Sequence, residues 1–323
     1  MLLKTAKKTL VFLVIVAMTF SSGLFLSGCR STERNPDIVV TIFPIYDWTR
    51  VVLGDNPGDL TVSYLLSSGV DLHSYQPTIQ DVAAISTTRL FIYVGGYSDA
   101  WVLNAMNNPV NQDRRHIALM EHHMPPAEPT SYIGITPACG DGLDEHVWMS
   151  LILTKIFVNL ILEEVILLDP DNEATYRANA TAYIQELTDL HNEFKDFVAT
   201  IPAGQRNMVL SDRNPFSYLA MDYDITFLSP FEGCSAVSAD NIQIVAQLVE
   251  MVNVFDATSI LYLDSQGRAL ADIVARDSGR SLTFHRLECF QSVSRYHIDN
   301  HNVSYLAGMR ANLETLKAVL GAA

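Results

Sequence analysis

Between Tyr176 and Phe197 the apolar positions step by four and three, through Ala180, Tyr183, Leu187, Leu190 and Phe194, while Glu173, Arg177, Gln185, Asp189 and Lys195 fill the polar places. This spacing predicts one amphipathic helix over residues 172–199, roughly 42 Å long at 1.5 Å per residue. A crossover inside one small sheet needs no such length. A coiled coil is the competing reading, but strand-and-helix patterns on both sides suit a spine along two lobes better.

Ahead of the spine, residues 38–44 form a continuous apolar stretch rich in β-branched side chains, as a strand buried on both faces should be. Further strands are expected at 60–66, 90–94 and 116–120, with helical segments between them. Residues 149–168 are apolar nearly all round, yet Lys155, Asn159, Glu163 and Glu164 interrupt them too often for a membrane span. They read as a buried helix that stops at Asp169-Pro170. Beyond the spine the alternation resumes, with strands expected at 208–210, 225–228, 259–263 and 282–284 and helices at 240–252, 267–275 and 303–320. The fold class is α/β: two small parallel-sheet lobes joined by one long spine helix. The lobes are expected at 37–170 and 202–323, with the linking helix at 171–201.

The first residues follow another pattern. Lys4, Lys7 and Lys8 precede an apolar run over 10–26 that stops at Leu26-Ser27-Gly28-Cys29. This is a lipoprotein signal peptide over 1–28 ending in a lipobox, with Cys29 as the lipid attachment point and 29–36 as a polar tether. Loss of the leader lysines moves the formal charge from −15 to −18. So acidic a surface repels nucleic acid and tolerates cations. With Cys29 lipidated, Cys139, Cys234 and Cys289 remain, and an odd number cannot all pair.

Two of nine histidines stand in settings that favour metal ligation. His73, in Asp71-Leu72-His73-Ser74-Tyr75-Gln76-Pro77-Thr78, follows the second strand, where open parallel sheets bind ligands outside the carboxyl ends of their strands. His146, in Asp144-Glu145-His146-Val147-Trp148, directly precedes the buried helix. Imidazole nitrogen suits zinc, and neighbouring carboxylates can hold the far ring nitrogen in one tautomer.

These two segments, together with residues 39–47, Phe91-Ile92-Tyr93-Val94-Gly95-Gly96 and residues 305–313, occur in an order that resembles the zinc and manganese receptors of ABC importers. The resemblance spans about residues 38–320. It implies one metal held in a cleft between the lobes, usually by four ligands, and delivered to a membrane permease. His73 and His146 match the two histidines of the N-terminal lobe. In the C-terminal lobe the third ligand is usually a histidine, but Arg213 occupies its place in Asp212-Arg213-Asn214-Pro215-Phe216. A guanidinium has no lone pair to donate. Water in its place is the favoured reading; Asp212 swinging in is another. Glu288, in Leu287-Glu288-Cys289-Phe290-Gln291, aligns with the acid that normally supplies the fourth ligand, with His285 as a fallback. Cys234 and Cys289 could offer thiolates, and Glu121, His122 and His123 resemble a much reduced histidine-rich loop.

The resulting expectation is a lipid-anchored metal receptor on the outer face of the cell membrane, monomeric and without catalysis, whose ligands are His73, His146 and Glu288. Zinc is favoured over manganese, because two nitrogens, a carboxylate and a water suit four-coordination. Affinity should fall as the imidazoles protonate below about pH 6. A zinc hydrolase also has three protein ligands and an open position, but no His-Glu-x-x-His is present. An adhesin, or a receptor for a metal chelate that pairs with Arg213, are the remaining alternatives.

Overall fold

The computed structural model describes residues 35–55, 58–107, 109–122, 144–231 and 241–321. Cys29 with its leader, Cys139, Cys234 and His123 lie outside the described residues. The described residues from Pro36 onward form one compact unit.

Two four-stranded sheets carry the fold, and every pairing in them is parallel. The first contains β1 (Ile38–Val40), β2 (Val62–Tyr64), β3 (Leu90–Tyr93) and β4 (Arg115–Ala118) in the order β2-β1-β3-β4. The second repeats that order with β5 (Asn207–Leu210), β6 (Thr226–Leu228), β7 (Ser259–Tyr262) and β8 (Thr283–Arg286), as β6-β5-β7-β8. In each, the chain departs to opposite sides of the first strand, which opens a crevice at the carboxyl ends.

Strand β1 is shorter than its apolar stretch. The chain turns at Thr41, and Phe43-Pro44 opens helix α1 (Phe43–Leu53), because proline is well tolerated in a first helical turn, where its missing N–H has no partner. The later helices are α2 (Ile79–Thr87), α3 (Val102–Ala105), α4 (Leu151–Leu168), α5 (Glu173–Ala199), α6 (Ser217–Tyr223), α7 (Ile242–Val254), α8 (Ser265–Ser278), α9 (Arg295–His301) and α10 (Tyr305–Leu320). None of the described helices is long and apolar enough to cross a membrane.

The spine α5 has 27 residues and buries Tyr176, Ala180, Tyr183, Leu187, Leu190, Phe194 and Val198. These side chains join one apolar core that also takes in Ile38 and Trp48 from the first lobe and Leu210, Leu261 and Tyr305 from the second. Trp48 meets Tyr305 edge to face at 5.1 Å, and Phe290 lies 6.1 Å from Phe43 and 5.0 Å from Tyr305. Buried polar groups tie the same seam. Trp148 Nε1 donates to the Cys289 carbonyl at 2.9 Å, Tyr218 Oη to the Asp144 carbonyl at 2.9 Å, and Tyr64 Oη to the Val293 carbonyl at 2.7 Å.

Candidate metal centre

His73 sits in a 3-10 turn, Leu72–Ser74, whose cap is Asp71: the Asp71 Oδ1 accepts the His73 backbone N–H at 2.9 Å. The His73 Nδ1 lies 2.6 Å from Ser98 Oγ, which donates in turn to Glu145 Oε1 at 2.5 Å; Nδ1 itself is 3.2 Å from the same oxygen. His146, fully buried before the 3-10 turn Val147–Met149, places Nδ1 2.6 Å from Asp144 Oδ1. A carboxylate can only accept, so each ring carries its proton on Nδ1 and leaves a lone pair on Nε2. The two Nε2 atoms face each other at 3.4 Å, with ring planes 67° apart.

The carboxylates behind the rings are held ionised. Burial pushes Asp144 up, but the His146 ring and its bonds outweigh it, leaving the carboxyl below its usual range. Burial of Glu145 is likewise outweighed by bonds from His73 and Ser98. Gly96 makes the approach of Glu145 possible, since a β-carbon there would overlap the Glu145 side chain. Beneath this pair, burial raises Asp99 to about 7; its Oδ2 accepts the Val94 N–H at 2.7 Å, and its Oδ1 has no hydrogen-bond partner among the described residues.

The second lobe sends in Gln291, only 2% exposed. Its amide nitrogen lies 2.8 Å from His73 Nε2 and 2.7 Å from His146 Nε2. Its Oε1 accepts from Arg213 Nε at 3.3 Å, from Arg213 Nη2 at 3.1 Å and from the Cys289 thiol at 3.4 Å. Arg213 also pairs with Asp71, so the cap of His73 in one lobe is bonded to the arginine of the other.

The remaining candidates point elsewhere. Glu288 is not brought to the imidazole pair: its Oε1 accepts the Phe290 N–H at 2.9 Å and its Oε2 accepts from Arg286 at 3.0 Å. It lines a separate cavity of about 190 Å³ with Arg213, Asp264, Cys289 and His297. The Asp212 carboxyl lies against Gly267 in α8 and accepts the Leu263 N–H at 3.3 Å; burial and then Asp264 raise it to about 6. His285 bonds Thr283 Oγ1 at 3.1 Å. Burial, with the Glu288 charge, pushes the Cys289 thiol up to about 12, so it is a neutral donor and no ready thiolate. Among the described residues, no three His, Cys, Asp or Glu side chains converge on one point.

Gln291 escaped the sequence reading because Glu288 offered a charge three positions earlier. The loop explains the choice between them. Asn312 grips the Glu288 backbone through its N–H at 2.8 Å and its carbonyl at 2.9 Å, and Phe290 adopts a left-handed φ of 63° that turns the next side chain inward.

Comparison with known proteins follows the same outline. Residues 38–319 match the family described as ZnuA, zinc-uptake complex component A, periplasmic. The high-affinity zinc uptake system protein ZnuA of Bacillus subtilis is 26% identical over 321 residues, covering 94% of this chain and 96% of that protein. The manganese-binding lipoprotein MntA of Halalkalibacterium halodurans is 26% identical over 271 residues, 83% of this chain and 85% of its own. The periplasmic zinc-binding protein TroA of Treponema pallidum superposes with a TM-score of 0.71 at 22% identity, covering 88% of this chain and 99% of that structure, which shows the shared fold.

Proposed function

The chain belongs to the zinc-uptake component A family of solute receptors, and from that premise we propose that it captures a divalent transition metal, zinc before manganese, between His73 and His146. One observation carries the reading: two imidazoles, each fixed through Nδ1 by a buried carboxylate, turn their free nitrogens toward each other at 3.4 Å. Two ligands about 2.0–2.1 Å from a tetrahedral zinc lie about 3.3–3.4 Å apart, so the pair already has the spacing that four-coordination requires. The ion itself supplies the Lewis acidity; the chain's part is to hold both rings in one tautomer and exclude water around them.

Delivery to an ABC importer permease, from a position outside the membrane anchored through Cys29, completes the proposed role. The role proposed is that of a receptor, in keeping with the family, and no catalytic step is assigned to these residues. Arg213 is already bonded to Asp71 and Gln291, which speaks against its pairing with a chelate's anion.

The test is zinc and manganese loading of the purified mature chain near neutral pH, read by elemental analysis and competition titration. One zinc per chain, lost in His73→Ala and His146→Ala, is the expected result. Manganese winning the competition would reverse the choice of ion, and uptake of neither would remove the reading.

A further inference from the structure

Gln291 presents its donor, and not its oxygen, to the two lone pairs that an ion would need. The orientation is fixed by chemistry on both ends of the amide. Its NH2 has two protons for two imidazole nitrogens at 2.8 and 2.7 Å, and its oxygen takes bonds from Arg213 and Cys289. The reverse placement would set NH2 against a guanidinium and oxygen against two lone pairs, losing the bonds to Arg213 and to both imidazoles. The amide thus stands in for a cation between the rings.

We propose that Gln291 is a ligand of this site held back by Arg213: metal capture exchanges its NH2 for the ion, the carboxamide turns over, and Oε1 becomes the third protein ligand. This rests on the reading that His73 and His146 hold the ion. Turning the amide brings its NH2 toward Arg213, donor against donor, so Arg213 must release Gln291 and keep only Asp71. Arg213 is then a latch that resists loading. The bond released lies within the second lobe, and the Asp71–Arg213 pair that joins the lobes stays in place. The completed ligand set is neutral, two imidazoles and one amide oxygen, and should bind more weakly than a set containing a carboxylate.

The experiment is a double-mutant cycle on the mature chain, with zinc affinity measured by competition with a chromophoric chelator. Arg213→Met should tighten binding about tenfold when Gln291 is present, and by no more than about twofold in the Gln291→Leu background, because the latch acts through the amide. In the unsubstituted chain, the side-chain amide signals of Gln291 in a nitrogen-15 spectrum should shift on adding zinc. Equal tightening in both backgrounds would reduce Arg213 to simple charge repulsion, weaker binding by Arg213→Met would make it a structural support, and unmoved Gln291 signals on a loaded protein would remove the exchange. Failure of the unsubstituted chain to bind zinc would instead strike the underlying reading.

Discussion

An imidazole offers a directed lone pair only when its other nitrogen is held, so on the proposed reading carboxylates that touch no ion should govern affinity. Glu145 reaches His73 because Gly96 has no side chain to block it. Gly96→Ala should push Glu145 back, free the His73 ring to rotate, and weaken zinc binding roughly 10–100-fold, the usual cost of losing such a partner. A competition titration giving unchanged affinity would show that Ser98 alone fixes the ring. His73, His146 and the acids beside them were legible in the sequence because each histidine lies within two residues of an acid, although the carboxylate that holds the His73 ring comes from the other motif, as Glu145. Gln291 was not, since nothing in an isolated amide marks it as facing two histidines more than 140 positions away. Deeper in the same lobe, Asp99 binds its proton more tightly folded than unfolded, with a carboxyl raised from 3.8 to about 7. The stability this provides is fully present below the unfolded value and is lost as pH rises through the folded one. Asp99→Asn removes that loss. Urea unfolding of the metal-free chain should therefore show the variant gaining about 2 kcal/mol on the parent between about pH 5 and pH 8. A constant difference across that range would mean that Asp99 ionises normally.

At the scale of elements, the inner strands β1, β3, β5 and β7 were visible because parallel strands buried on both faces read as apolar runs, whereas the edge strands β4 and β8 are half polar and were placed by the alternation around them. Helices α4, α5, α7, α8 and α10 were visible through their length. The seven residues of α6 and of α9 span two turns, too few to establish a period against their surroundings. What periodicity could not reveal is how the loop after β8 is aimed. There Phe290 packs between Phe43 and Tyr305, and its ring edge lies over Gly308 in α10, where a β-carbon would overlap it. The glycine in Tyr305-Leu306-Ala307-Gly308 is thus a clearance for the ring that orients Gln291. Gly308→Ala would ordinarily favour a helix by about 1 kcal/mol. Here overpacking should outweigh that, costing roughly 1–3 kcal/mol, and should disturb the Gln291 amide signals even though the substitution touches neither imidazole. Denaturant unfolding that finds the variant more stable than the parent would show that the aromatic cluster yields without cost.

At the scale of the molecule, two sheets of identical strand order suggest two independent bodies, but the core does not divide between them. Trp48 of α1, Leu187 and Phe194 of the spine, and Tyr305 and Leu313 of α10 belong to one apolar cluster. The seam carries polar ties as well: Asp47 in α1 accepts the Tyr305 N–H at the start of α10 at 2.9 Å, Tyr305 Oη donates to the Trp148 carbonyl at 2.6 Å, and Arg295 donates its backbone N–H to the Ser67 carbonyl at 2.7 Å. Opening the lobes widely would strip water-excluded aromatic surface and leave these groups unpaired, so loading should proceed by rearrangement inside the cleft, of the kind a single amide can make. The same continuity predicts how the protein unfolds. With no apolar boundary between lobes, calorimetry of the metal-free chain should show one cooperative transition, with the enthalpy from its area equal to that from its shape. Zinc held across the two histidines, as proposed, would stabilise only the folded chain. Free zinc at about a hundred times the dissociation constant contributes about 2.7 kcal/mol, which for a domain this large moves the single peak up by about 5 °C. Two separated peaks, of which zinc moves only the first, would mean that the spine joins lobes that melt independently.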